Sequence, residues 1–280
     1  MINKIYNIAI KLSIFSIALL GAGLFLVLCF KSSDAFSTFG VGFLFDSTWD
    51  ISKNHFGASA PIYATLLSMA LAMIFAMPVA LGVAVFLTHI LKQRFKSFFI
   101  ICIELLAAIP SIIYGMWGFL YFVPLISALF GGSGVGLLAS AGVLAIMILP
   151  LIACVSKDAI NAVPKAVVES AYALGSTRAQ VLLGVVLPHA RDGILAGAIL
   201  ALGRALGETM AVVFLMGGLV KVQPSLVEPA SSIAVTIALQ FGEAMVNPLH
   251  ESSLFALALI LFLISAVFTG GIKYAFIKRS

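Results

Sequence analysis

Charge is scarce in this sequence. Only 10% of its 280 residues are Asp, Glu, Lys or Arg, against about 25% in an ordinary soluble domain. So few polar side chains cannot cover a soluble core of this size. Cysteine is nearly absent as well. Cys29, Cys102 and Cys154 each sit in an apolar run, with no disulfide or metal-ligand spacing, and read as small apolar filler. There is no G-x-x-x-x-G-K-[ST] phosphate loop and not even a Gly-Lys dipeptide, so any ATP hydrolysis has to come from a partner. The four histidines, His55, His89, His189 and His250, show no ligand-like grouping and read as surface residues of loops and span ends. No nucleophile, base and orienting group converge along the chain. The expectation is therefore no catalytic residue, no metal and no cofactor. No long hydrophilic stretch occurs either, which leaves no separate soluble domain.

What is abundant is apolar surface, at 62% of residues and a mean hydropathy of +1.18. Lipid can solvate such an exterior. A membrane helix takes about 20 mostly apolar residues, and six stretches qualify: 12–30, 62–87, 98–123, 137–155, 194–219 and 254–276. The first is too long for the 7–15-residue apolar core of a typical leader, and reads as a retained helix. The expected fold is all-α, a polytopic transmembrane bundle of six spans.

The net charge of +5 could suggest nucleic acid, but the positions of the basic residues give a better account. Twelve of the sixteen Lys and Arg alternate onto one side: Lys4, Lys11, Lys92, Arg94, Lys96, Lys157, Lys165, Arg178, Arg191, Lys273, Lys278 and Arg279. Basic residues mark the cytoplasmic face, so both termini are expected there. The outer loops are then 31–61, 124–136 and 217–253. Within the last, residues 230–244 are helix-compatible but too short to span, and are expected as a re-entrant or surface half-helix.

The longest cytoplasmic connection, 156–192, has internal structure. Pro164 suits the start of a helix, where its missing N–H needs no partner. Residues 165–174 are helix-compatible, with Val167, Ala171 and Leu174 near one face. Gly175 sits where a helix can stop in a left-handed residue. Thr177 and Gln180 fit a capping box that starts a second helix, which Pro188 is expected to close.

Three ionisable residues fall inside expected spans: Glu104, Arg204 and Glu208. Such groups are costly in lipid and face a bundle interior or a polar path. Arg204 lies ~15 Å along its span from Ile194, and Glu104 ~9 Å along its own from Phe98. Arg204 and Glu208 are four residues apart, which on one helix gives a shared face. They read either as an internal ion pair or as a gated anion site, in which the guanidinium takes an oxyanion and the carboxylate competes for it. Gly203 and Gly207 beside them permit close helix packing. Pro110 is expected to kink the third span, as are Pro78 and Pro150 in theirs.

Glu169-Ser170-Ala171, Gly175 and Val185-Val186-Leu187-Pro188 resemble the EAA loop of bacterial ABC importer permeases, E-A-A-x3-G-x9-I-x-L-P, with Ser for Ala and Val for Ile. More specifically, four segments resemble the PstC family of phosphate-transport permeases. They are Ile103-Glu104-Leu105-Leu106-Ala107-Ala108-Ile109-Pro110-Ser111 with Tyr114-Gly115 and Trp117-Gly118 after it, Gly203-Arg204-Ala205-Leu206-Gly207-Glu208-Thr209-Met210, Ser231-Ser232-Ile233-Ala234 and Phe241-Gly242-Glu243-Ala244. The resemblance implies a type I ABC importer permease fold with 61–276 as the permease domain, preceded by an N-terminal helix and outer loop at 1–60. It implies ATPase coupling through Glu169, Ser170, Ala171, Gly175, Leu187 and Pro188. It further implies a PstA-like permease subunit, a PstB-like ATPase dimer and a PstS-like phosphate-binding protein as partners. Phosphate itself comes from the resemblance; the residues alone say "anion". A permease for molybdate or sulfate, or an ion-coupled secondary transporter, are the alternatives.

Overall fold

The computed structural model describes residues 2–277, which are helical for most of their length. Helix α1 is Ile2–Lys31. Two short helices, α2 (Ser33–Phe39) and α3 (Gly42–Phe45), lead to a small antiparallel hairpin, β1 (Trp49–Asp50) with β2 (His55–Phe56). Then come α4 (Ser59–Val85), α5 (Gln93–Ala108), α6 (Ser111–Trp117), α7 (Val123–Phe130) and α8 (Leu137–Asn161). The second half carries α9 (Lys165–Ala173), α10 (Arg178–Val181), α11 (Leu187–Leu206), α12 (Met210–Met216), α13 (Ile233–Ala244) and α14 (Pro248–Ile277). Wide π turns at Phe86–Ile90, Gly118–Phe122 and Leu182–Val186 follow α4, join α6 to α7 and join α10 to α11. Lys278 and Arg279, counted above for orientation, lie outside the described residues.

A stripe of small residues builds the centre. Along α4, Ala60, Ala64, Ser68, Ala72, Ala76, Ala80 and Ala84 recur every fourth position, and all are buried. Small residues at this spacing let helix backbones approach closely in lipid, where packing replaces the hydrophobic drive. The helix that α4 packs against most is α8, itself buried at Ala139, Ser140, Ala141, Ala145 and Ala153. Four residues turn about 400°, so the stripe advances ~40° around the axis at each step and its ends meet different neighbours. Its middle joins the central core with α8, α11 and α12. Its last member, Ala84, joins a separate core under α9 and α10, with Val163, Ala171 and Val186.

Among the described residues, six helical stretches are long and apolar enough to cross a membrane: Ile10–Lys31, Ser59–Ile90, Ser111–Phe130, Leu137–Asn161, Arg178–Leu206 and Pro248–Gly270. The number agrees with expectation, but two boundaries do not. The third apolar helix starts at Ser111, because Pro110 breaks the chain rather than kinking it. Ile109 is extended (φ −63°, ψ 130°) and α5 ends at Ala108. The fifth starts at Arg178 and stops at Leu206, so the stretch expected as 194–219 is divided by a break at Gly207–Thr209. The outer loop expected at 124–136 is also shorter. Helix α7 continues to Phe130, and Gly131–Gly136 is what remains.

Prolines account for two of the π turns. A proline inside a helix clashes with the carbonyl four residues earlier. For Pro124 that residue is Leu120, and for Pro188 it is Gly184, each inside a π turn. Widening the turn at those carbonyls lets the helix run through. Pro188 therefore does not close the helix of the cytoplasmic connection, as expected, but is carried within it. Pro78 and Pro150 lie inside α4 and α8.

The end of the bundle that carries β1 and β2 has its own core, where Phe43 and Phe56 pack with Ile233, Leu254 and Leu257. His250 is buried there, against the surface role expected of it. Its ring stacks on Phe56 at 5.0 Å, and its Nε2 lies 3.0 Å from Gln240 Oε1, which also accepts from Trp49 Nε1 at 2.8 Å. Helix α13 occupies the half-helix position expected near 230–244, started by Ser232, whose hydroxyl accepts from Val235 N.

Candidate coupling loop and intramembrane charges

The connection 156–192, expected on the cytoplasmic side, folds as two helices around a glycine stop. Helix α9 begins directly after Pro164, whose lack of an N–H leaves one fewer unpaired donor at the helix start. It ends at Gly175, which has φ +83°. Gly175 N donates to Tyr172 O at 2.9 Å and Ser176 N donates to Ala171 O at 3.3 Å. These two bonds make a Schellman stop, closing the last carbonyls of the helix through a left-handed residue. Thr177 then opens α10. Its N donates to Gln180 Oε1 at 2.8 Å, and Gln180 N returns a bond to Thr177 Oγ1 at 3.4 Å. Both halves of the expected capping box are therefore present.

This arrangement sorts the motif residues. Ala171 is 9% exposed and packs into the core with Ala84 and Val186. Glu169 and Ser170 face out, the serine hydroxyl donating to Ala166 O at 2.7 Å. Leu174 does not extend the helix face expected to carry Val167, Ala171 and Leu174. It lies past the end of α9 and is 88% exposed, with Tyr172 half-exposed beside it. Leu187 is half-buried and Pro188 exposed, where α11 begins. The loop thus presents a carboxylate and an apolar tip outward while its inner face is anchored to α4 and α8. Exposed apolar side chains on an ordered turn mark a contact surface.

The intramembrane charges are arranged differently from expectation. Arg204 lies in the last turn of α11, about 25 Å of helix from Leu187. Glu208 lies beyond the end of that helix, so the two share no helix face. None of the ion pairs among the described residues involves Arg204 or Glu208. Instead Glu208 Oε1 accepts from Ala211 N at 3.2 Å, satisfying one of the free donors at the start of α12. Arg204 is exposed on the surface of the chain and stands near enough to Tyr114 of α6 for its charge to act on the phenol. Close packing of α6 on α12 brings these elements together. A Cβ on Gly115 would come within 2.8 Å of Ala211 Cα.

Glu104 is exposed on α5, outside the third membrane-length helix, and is near enough to Cys154 of α8 to act on it electrostatically. The structure does not bring Glu104 together with Arg204 and Glu208 in one hydrogen-bonded cluster. Nor do Gly203 and Gly207 permit close packing within the chain. They line an open apolar cleft of about 350 Å³ between α1, α11 and α14. Tyr114 enters the sequence only as part of the family-like motif, without a role of its own. Its position four residues after Pro110 was the available signal.

The sequence matches a family model described as "Binding-protein-dependent transport system inner membrane component" over residues 77–279. Among curated proteins it is 45% identical to the phosphate transport system permease protein PstC of Pasteurella multocida, covering 89% of this chain and 83% of that protein. It is 40% identical to the protein of the same name from Mesorhizobium japonicum, covering 99% and 90%. Among solved structures it resembles the MetNI methionine ABC transporter in an inward-facing conformation. The TM-score is 0.61 at 20% identity, over 79% of this chain and 94% of that one. A bacterial alginate ABC transporter gives the same TM-score at 17% identity, over 94% and 93%.

Proposed function

We infer the role of this chain from the family to which it belongs, the binding-protein-dependent transport system inner membrane components. It is a multi-pass inner-membrane permease subunit of an ABC importer, and its substrate is phosphate. The carrying observation is the loop from Lys165 to Pro188. It keeps the spacing of an ATPase-docking motif and folds into a glycine-stopped helix with its acidic and apolar residues outward. Similarity to phosphate permeases along most of the chain supports the substrate.

The family implies an ATPase and a substrate-binding protein as partners. We assign the finer identities: a PstA-like second permease, a PstB-like ATPase dimer that performs all the hydrolysis, and a PstS-like phosphate-binding protein. In this reading the end of the bundle carrying Lys92, Arg94, Lys96, Lys165 and Arg178 is cytoplasmic, as are both termini. The permease domain is 61–276, with 1–60 as an accessory helix and outer loop. Glu169, Ser170, Ala171, Gly175, Leu187 and Pro188 form the coupling device. Arg204 is the anion contact on the substrate path, Glu208 its competing carboxylate and Glu104 a third path residue. A guanidinium that no ion pair among the described residues engages suits that task, since it offers a fixed charge and a bidentate fork to an oxyanion.

The deciding experiment is uptake of labelled phosphate by proteoliposomes containing the assembled importer, with ATP inside or withheld, and with molybdate or sulfate as competitors. ATP-dependent accumulation that neither competitor reduces is expected. Accumulation without ATP would overturn the importer reading, and displacement by molybdate or sulfate would overturn the substrate.

A further inference from the structure

A polar cleft of about 480 Å³ opens between the π turn that follows α4 and helices α9 and α10. His89, Tyr172 and Arg178 supply its polar lining, and none of them belongs to the motif or the substrate path discussed above. The Arg178 guanidinium enters none of the ion pairs among the described residues. Lys96 stands beside the cleft. Its Nζ donates to Thr88 O at 3.4 Å, and its charge acts on His89. Glu169, the carboxylate of the motif, lines the adjoining cleft together with Lys165. One cation, Arg178, thus lines a concave site together with a histidine and a tyrosine, and a second, Lys96, stands beside it.

The depth of the cleft adds a second constraint. The membrane-length helix that contains α4 ends at Ile90, so His89 and Ile90 mark its boundary. Immediately after it, α5 presents Arg94 stacked over Phe95 at 4.6 Å, with Phe98 exposed. Cations interleaved with exposed aromatics are what a helix shows at the headgroup layer. Basic pockets at this level, between helices, suit phosphate-bearing headgroups.

We propose that the cleft formed by His89, Tyr172 and Arg178 is an anion site that takes a phosphate group, from an acidic phospholipid headgroup or from free inorganic phosphate. The guanidinium holds two phosphate oxygens, the tyrosine hydroxyl donates to a third, and Lys96 adds charge from behind. The site stands apart from the substrate reading, because it lies at the opposite end of α11 from Arg204. An occupant would pin α10 to the end of α4 beside the coupling loop; only that consequence rests on the assignment of the loop.

The test uses the assembled importer carrying the full chain. Retention of phosphatidylglycerol over phosphatidylcholine is measured by native mass spectrometry. In parallel, Ala179→Cys, in a background lacking the native cysteines, reports protection from thiol labelling by inorganic phosphate. If the source is lipid, phosphatidylglycerol is preferred, and Arg178→Gln weakens its retention about tenfold, the scale of one charged hydrogen bond. If the source is free phosphate, millimolar phosphate slows labelling at position 179 and Arg178→Gln removes the protection. In either arm Arg178→Lys keeps part of the effect, and Arg191→Gln, with the same loss of an exposed charge outside the cleft, keeps all of it. His89→Gln weakens binding independently, should Arg178→Gln fail to assemble. The proposal is overturned if the wild type shows neither preference nor protection. It is equally overturned if Arg191→Gln weakens binding as much as Arg178→Gln, because the effect is then diffuse surface charge.

Discussion

The Tyr114 hydroxyl donates to the Leu106 carbonyl oxygen at 2.8 Å, across the break at Pro110. In an uninterrupted helix that carbonyl would accept from residue 110, and proline has no N–H to give. The tyrosine supplies the missing donor, so α5 and α6 are joined by a side chain where the backbone ladder stops. Without it the carbonyl keeps only a long bond from Ile109 N, at 3.4 Å. Tyr114→Phe should therefore destabilise the protein by about 1–3 kcal/mol, the penalty for leaving such a group poorly satisfied. Thermal unfolding of the purified complex measures this, with Tyr121→Phe as an exposed control. Equal melting of the two variants would show that the bond does not hold the break.

Gly175 is a cleaner case, because space and backbone strain separate. A Cβ at this position would meet nothing within 4 Å, yet φ is +83°. Any penalty is then conformational, about 1–2 kcal/mol for an L-residue in the left-handed region and least for Asn. Gly175→Val should insert normally but lose transport-coupled ATP hydrolysis, while Gly175→Asn should keep most of it. Comparable coupling in both variants, at matched expression, would remove the glycine stop from the mechanism.

How much of this was legible beforehand depended on range. Hydropathy sums over twenty residues, so six spans could be read. The Gly175 stop and the Thr177–Gln180 box are local chemistry, and both appear as expected. Breaks were harder. Apolar sequence runs straight through Ile109 and past Gly207, and hydropathy cannot tell a bent helix from two helices. Treating 194–219 as one helix placed Arg204 and Glu208 on one face, whereas the helix stops between them. The burial of His250 was not legible, because Trp49, Phe56 and Gln240 reach it from other segments. The four-residue stripe from Ala60 to Ala84 was present in the sequence. Its signal is one of size rather than hydropathy, and counting apolar residues hides it.

The β1–β2 hairpin should respond to acid. His55 Nε2 lies 2.5 Å from Asp46 Oδ2, and Thr48 N donates to Asp46 Oδ1 at 2.8 Å. These bonds, the His55 one foremost, lower the Asp46 pKa from 3.8 to about 2. A depressed carboxylate pKa adds stability above its unfolded value, and that stability fades as pH falls through the folded value. The hairpin should therefore loosen between about pH 4 and pH 2. Trp49, which packs on Phe56 at 5.0 Å, is a fluorescent reporter of that change. Asp46→Asn should flatten the acid transition. An unaltered transition in that variant would assign it to another group.

Orientation can be checked on the same scaffold. Ala173→Cys, at the exposed end of α9, should react with an impermeant thiol reagent only from the cytoplasm. Ser47→Cys, exposed in the outer loop, should react only from outside. Both belong in a background without Cys29, Cys102 and Cys154. Labelling of the two sites from one side would invalidate the arrangement inferred from the basic residues.

Arg204 and Glu208 permit the sharpest test, because the break between them changes what each variant should do. Two charges paired in a low-dielectric site tolerate joint removal better than single removal, since a single change strands the survivor. Here the described residues hold no such pair, and the Glu208 carboxylate already has a bond from Ala211 N. Glu208→Gln keeps an acceptor oxygen for that N–H and loses only the charge near a helix start, an effect of about 0.3–1 kcal/mol. Phosphate uptake in this variant should be reduced but present. Arg204→Gln removes the cation proposed to meet the anion and should abolish uptake. Arg204→Lys should be impaired as well, because a point charge cannot make the bidentate contact. The double variant Arg204→Gln with Glu208→Gln should stay inactive, since removing the carboxylate does not restore the cation. All four are compared by initial rate of uptake at matched membrane expression. Recovery of wild-type uptake in the double variant would mean that the two residues pair in the working cycle, and that Arg204 holds helices in place rather than meeting the anion.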